Sequence, residues 1–458
     1  MAVAAGVVVV AGVAAAEVAA ARADGVMAGS LTRRQALEAA LVAFTAAAVV
    51  PGIRHAAQAG TEPSKWARLY VPGYRSELAT SGDRLLVDIP EITRVPADWT
   101  ANRTILNVLD LADPTAEPRR AAYPVRGHGL QVLPALNVGV FSGMESDTVV
   151  GFDLDTLDMT AFVRPAQAGW RFGGHPAIMP DGKHVAIAER HPAEPKSGDR
   201  AADIARLSGR IVIRDAVTLA PVGAMPSYGI RPHEIQVTDD GRHLVVAHYG
   251  STNVAGSGDD NPDIPDPIAP GIAVIEIASG KLVSWIDGTD PMAELRHLAG
   301  KRLDRIFAVT AKMAWAGSPE AAGLEADPGA EHGFEYLASQ PVRAVGGHAQ
   351  QLLSEHVPLT RHGLSVLYDG KSDEILMTFP ATHRIALFDG ATGTLKKLIR
   401  TDALGLRWPC GVALSPDGAA WHVTGYWSGM MTLKTGTHLV GSVAPVPKWW
   451  GHSHTVIG

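Results

Sequence analysis

Histidine recurs in this chain at a fixed place relative to turns and apolar runs. In Gly229-Ile230-Arg231-Pro232-His233-Glu234-Ile235-Gln236 a turn leads to a histidine and then to the first residues of a buried strand. The same order stands at Arg126-Gly127-His128-Gly129, Gly173-Gly174-His175-Pro176, Leu295-Arg296-His297-Leu298, Arg361-His362-Gly363-Leu364 and Gly451-His452-Ser453-His454. The single cysteine takes that place in Pro409-Cys410-Gly411-Val412. Neutral imidazole and thiolate are the ligands that copper, zinc or iron select over magnesium or calcium. Brought together, His128, His175, His233, His297, Cys410, His452 and His454 would form a metal site, with copper or iron the expected ion. His452 and His454 are two residues apart, so on a strand both point to the same side. The competing reading makes each histidine a turn residue that hydrogen-bonds backbone. That reading weakens for the whole set, because many buried imidazoles in one place all need partners.

The elements that must position these residues follow from the spacing. From His128 to His454 the successive steps are 47, 58, 64, 65, 48 and 44 residues. That is the size of a propeller blade, with insertions in the middle ones. Asp-Gly turns such as Pro180-Asp181-Gly182, Asp239-Asp240-Gly241 and Pro416-Asp417-Gly418 each precede a further apolar run, and Asp-Gly supplies the backbone of a short hairpin. Third strands are expected at Val149–Asp153, Arg210–Asp215, Ile272–Ile277 and Arg384–Asp389. A sandwich with similar hairpins is the alternative. Seven returns in order favour an all-β, seven-bladed β-propeller, in which equivalent strand starts converge on one central channel. Leu69–Val71, Arg84–Ile89 and Thr104–Leu109 read as strands without an inner strand of their own. The run His452 to Ile457 is one strand with nothing after it. The ring is therefore expected to close by pairing of N-terminal and C-terminal strands, which removes exposed edges.

Residues 1–59 differ from the rest. Arg33-Arg34, an apolar run from Ala39 to Val50 and the small-residue end Ala57-Gln58-Ala59 read as a twin-arginine export signal. A membrane-spanning helix is the alternative, but the run is short and Pro51-Gly52 interrupts it. Met27 is a second candidate start. Residues 60–458 then form one propeller domain in the periplasm, with no membrane span after signal removal. Two insertions interrupt it. Ser251 to Pro270 carries Asp259, Asp260, Asp263 and Asp266, whose spacing does not match an EF-hand, and reads as a solvated loop. Ala314 to Pro358, with Glu331, His332, His348, Glu355 and His356, reads as a loop or short helix over one face of the disc.

A net charge of −7 without a basic stripe argues against a nucleic-acid partner. G-x-S-x-G, H-E-x-x-H and P-loop motifs are missing from the chain. A calcium-dependent, lactonase-like propeller wants acidic and Asn residues at the strand starts, and only Glu234 fits. The segments Phe172-Gly173-Gly174-His175, Arg231-Pro232-His233-Glu234, Arg296-His297-Leu298-Ala299 and Cys410-Gly411-Val412-Ala413 make the chain resemble the domain of unknown function 1513 family. The resemblance implies an exported, YncE-like seven-bladed propeller and iron-uptake proteins of the periplasm as partners. It implies no reaction. Arg361-His362-Gly363 departs from the pattern, which puts His362 outside the expected site. Two functions stand against each other: a periplasmic propeller holding a metal ion or metal-bearing ligand on its His/Cys ring, for iron or copper handling, and a non-catalytic scaffold for an iron-uptake partner.

Overall fold

The computed structural model describes residues 68–75, 104–144, 146–193, 200–250, 270–324, 334–426, 429–444 and 454–458. All of them belong to one compact unit, Gln58–Gly458. The export segment, Arg84–Ile89, the acidic stretch Asp259 to Asp266, Glu331, His332 and His452 lie outside the described residues. The described chain is all-β and propeller-like. It has strands β1 to β29 in chain order, and its α-helix is Arg200–Leu207. The strands form seven antiparallel sheets, six of four strands and one of five.

Six of the seven sheets begin at or just after a turn marked by histidine or Cys410 in the sequence. The first strands are β4 (Gly127–Leu133), β8 (Arg171–Ile178), β12 (Pro232–Val237), β16 (Glu294–Ala299), β21 (Val366–Asp369) and β25 (Pro409–Leu414). The Asp-Gly turns sit where expected. Gly182 has φ +65, a region closed to most side chains, and Gly241 and Gly418 repeat it. The predicted third strands are present as 149–153, 208–215, 271–276 and 384–389. The last strand, β29 (Val456–Ile457), pairs with β1 (Arg68–Arg75), which continues into β2 (Thr104–Asp110) and β3 (Arg119–Tyr123). Leu69 faces Ile457 and Tyr70 faces Val456 across that pair.

Apolar side chains from adjoining sheets fill the spaces between them. Tyr70, Tyr123, Leu130, Phe141 and Phe152 form one such layer, and Ile385, Leu406, Trp421 and Met431 another. The first strands also neighbour one another in order: β4 with β8, β8 with β12, β12 with β16, β16 with β21, β21 with β25, and β29 with both β25 and β4. Side chains strap them together where main-chain pairing is not available. Gln236 donates from Nε2 to Leu298 O (2.5 Å) and accepts the Gly300 N–H on Oε1 (2.9 Å). Glu234 Oε2 accepts the Leu298 N–H at 3.0 Å. Elsewhere Thr104 on β2 donates to Val125 O, and Thr378 on the strand 374–379 donates to Cys410 O on β25.

The insertion Ala314 to Pro358, expected as a loop or short helix, holds the short 3-10 turns Pro319–Ala321 and Ser354–Leu359 but is more than that. It supplies strands: β17 (Phe307–Trp315) runs into it, and β18 (Phe334–Leu337), β19 (Val342–Val345) and β20 (His348–Gln351) lie within it. β19 and β20 complete their own sheet. Gly346-Gly347, both at positive φ, make the two-residue turn between them. A Gly-Gly hairpin signal was therefore present in the sequence.

Candidate metal centre

His128, His175, His233 and His297 stand on β4, β8, β12 and β16, and their nearest ring nitrogens all lie within 4.8 Å of one another. All four are buried. The Nε2 atoms of His128, His233 and His297 form a triangle with sides of 3.2, 3.4 and 2.9 Å. His233 Nδ1 donates to the Gly173 carbonyl at 2.5 Å, so its proton is on Nδ1 and its Nε2 lone pair points into the triangle. This is how a backbone carbonyl orients a metal-binding imidazole. His175 Nε2 and His297 Nδ1 have no hydrogen-bond partner among the described residues.

The Gly-rich turns make this approach possible. A Cβ on Gly173 would collide with the Pro232 carbonyl. On Gly174, at φ +125, it would stand 2.8 Å from His233 Cε1 and 3.1 Å from His128 Cδ2. On Gly129 it would stand 2.6 Å from His175 Nδ1. Glycine at these turns is what lets the rings crowd.

Burial sets the charge state. It holds His175, His233 and His297 well below the usual histidine range, and the neighbouring imidazoles push the same way. Neutral imidazoles present lone pairs, the form a metal needs. Beyond His233 the ring of Tyr249 packs at 4.5 Å, with the guanidiniums of Arg190 and Arg296 over it at 5.3 and 5.7 Å.

The other expected residues fall into different places. His454 packs ring to ring with His297, His175 and His128 at 4.2, 4.4 and 4.7 Å, and its Nδ1 meets Ser365 Oγ at 3.1 Å. Cys410 does not join these donors. It is fully buried with Leu364 and Tyr426, and its thiol donates to Thr424 O at 3.2 Å. His362, doubted on the sequence, takes φ +57 and stacks flat on Tyr336 at 3.7 Å. Ser365 stands at the channel in that sheet instead.

A cavity of about 540 Å³ adjoins the cluster. Its wall is made by the first strands, and its lining runs from exposed Asp239 and Lys301 to buried His175 and His297 and half-buried His454. Glu234, Gln236, Gln131 and Ser365 supply polar groups along it. Burial pushes the Glu234 carboxyl up to about 7 against the pull of its Gln236 and Leu298 hydrogen bonds. Gln131, Gln236, Tyr249 and Ser365 were not singled out from the sequence. The period-2 pair Glu234 and Gln236 was the available signal for one of them.

The model of the family described as "Protein of unknown function (DUF1513)" matches residues 121–456. No curated protein matches the chain in sequence. Among solved structures, hydrazine synthase of Kuenenia stuttgartiensis is similar at 15% identity, covering 76% of this chain and 94% of that one, with a TM-score of 0.45. The dihydro-heme d1 dehydrogenase NirN, in complex with DHE, is similar at 16% identity, covering 87% of this chain and 77% of that one, with a TM-score of 0.43.

Proposed function

The chain belongs to the DUF1513 family of proteins of unknown function, and for it we propose a closed seven-bladed propeller that carries a metal ion on His128, His175, His233 and His297. The convergence of three Nε2 atoms at 2.9–3.4 Å carries the reading. A metal at about 2.0–2.1 Å from tetrahedral nitrogens places them roughly 3.3 Å apart, so the donor set already fits an ion. The set is all imidazole, which suits copper, iron or zinc and not magnesium or calcium. Copper or iron handling in the periplasm, after export on the Arg33-Arg34 signal, is the role we assign. Ring closure is supported by the β1–β29 pair and by the neighbour order of the first strands.

When bound, the ion would supply Lewis acidity or a redox centre. The chain's own part is to fix the His233 tautomer through Gly173, to keep His175, His233 and His297 neutral by burial and to wall the site from bulk water except along the adjoining cavity. The test is to purify folded protein, measure copper, iron and zinc, and titrate the metal-free form with each. One equivalent is expected, with a melting temperature that falls on chelation and with His233→Ala losing the metal. If no ion binds stoichiometrically and chelation leaves the melt unchanged, the imidazole cluster is structural and the scaffold function replaces this one.

A further inference from the structure

The cluster touches the cavity on one side only. His175 and His297 line it, whereas His128 and His233 do not. His175 stands edge-on to His128 and His233, at interplanar angles of 84° and 81°. The cavity then continues past Ser365, Gln131, Glu234 and Gln236 to the exposed Asp239 and Lys301. Its volume of about 540 Å³ falls in the range of small-molecule sites, roughly 300–1,000 Å³.

Charge decides what would enter. Imidazole ligands carry no negative charge, so the four histidines leave the charge of a bound ion uncompensated. The guanidiniums of Arg190 and Arg296 stand on the far side, over the Tyr249 ring that packs on His233. Arg296 is balanced by Glu294 at 2.8 Å. On the cavity side Glu234 is committed to Leu298 N–H and Gln236. An uncompensated buried positive charge draws an anion.

We propose that the cavity is an access channel to an open coordination position on the metal, and that its ligand is a small anion with a lone-pair donor. This rests on the metal reading above. The ligand meets the ion from the side of His175 and His297, with Ser365 and Gln131 as the polar groups beside its path.

The experiment uses full-length mature protein loaded with one equivalent of copper(II), titrated with azide and followed by absorbance and electron paramagnetic resonance. A saturable azide-to-copper charge-transfer band is expected. Gln131→Trp narrows the channel without replacing a histidine. It should keep the copper stoichiometry and weaken or slow azide binding about tenfold or more, because a large side chain in a packed space excludes the occupant. Copper that binds at one equivalent but ignores azide in the wild type means the four imidazoles saturate the ion, and the proposal is wrong while the metal reading stands. Azide that binds the variant as it binds the wild type overturns the channel as the route. Failure to bind copper, iron or zinc at all removes both.

Discussion

At the level of single residues, the contact between glycine turns and imidazole rings constrains the site. Gly174 cannot gain a Cβ without moving His233 or His128, and its φ of +125 is itself hostile to a side chain. Gly174→Ala is expected to destabilise the fold by about 1–3 kcal/mol and to abolish stoichiometric metal binding. A thermal melt and a metal assay on the same sample check both, and a variant that keeps full metal content contradicts the crowding argument. A second expectation concerns protons. His248 is fully buried beside Trp285, and burial pushes it down to about 4 from an ordinary value of 6.5. Between those values the unfolded chain takes up a proton that the folded chain refuses. Stability therefore falls as pH drops from about 6.5 towards about 4, and is fully regained above about 6.5. His175 and His297, also depressed by burial, add to the loss in metal-free protein. Melts of metal-free protein at about pH 5 and about pH 7.5 test this, and equal melting temperatures would count against it.

Among the elements, the first strands matter most, because β4, β8, β12 and β16 each place one histidine at the cluster, and side chains join neighbouring sheets beside main-chain contacts such as the Met144–Gly173 bridge. Gln236 bridges β12 to β16 through Leu298 O and Gly300 N–H. Gln236→Leu leaves those backbone groups without their partner. It is expected to cost about 1–3 kcal/mol, seen as a lower denaturant midpoint with an unchanged slope. The strand β29 is short, yet Arg68 and Gly458 exchange both backbone hydrogen bonds beside it, at 3.0 and 3.1 Å. Truncation before Gly451 removes that pair and His454 together and opens the edge of β1. It should cost far more than a surface substitution, and a truncated chain that melts like the full one would sink this view.

These elements also show what the sequence could reveal. The sheets and their turns were legible because Asp-Gly hairpins and buried strands have local signatures, repeated at blade spacing. His128, His175, His233 and His297 were legible because they occupy one register of that repeat. Cys410 shares the register, but its thiol satisfies itself on Thr424 O within its own sheet, a contact no spacing rule encodes. His362 left the register because its left-handed backbone turns the ring onto Tyr336, a residue of the insertion. The strands of that insertion were hidden by its Ala/Gly-rich stretches, although Gly346-Gly347 marked a hairpin.

For the molecule as a whole, burial of the cluster links metal loading to the folded state. His233 and His297 are 0% and 1% exposed, so an ion reaches them only along the channel or while the chain folds. An ion that binds the folded chain alone stabilises it, by about 2.7 kcal/mol at a hundredfold excess over its dissociation constant. The Arg33-Arg34 segment, outside the described residues, is expected to direct a chain that folds before it crosses the membrane. Folding before export would let the ion be fixed in one compartment and used in another. Replacing Arg33 and Arg34 with Lys should leave the protein folded and metal-loaded in the cytoplasm, while the unmodified chain is recovered from the periplasm. Cell fractionation followed by metal analysis of each fraction reads both parts of the claim. Undiminished periplasmic protein in the Lys variant removes the export assignment. Metal-free cytoplasmic protein, with metal present only in the periplasmic fraction of the unmodified chain, places loading after export and makes the channel the ion's route as well as the anion's.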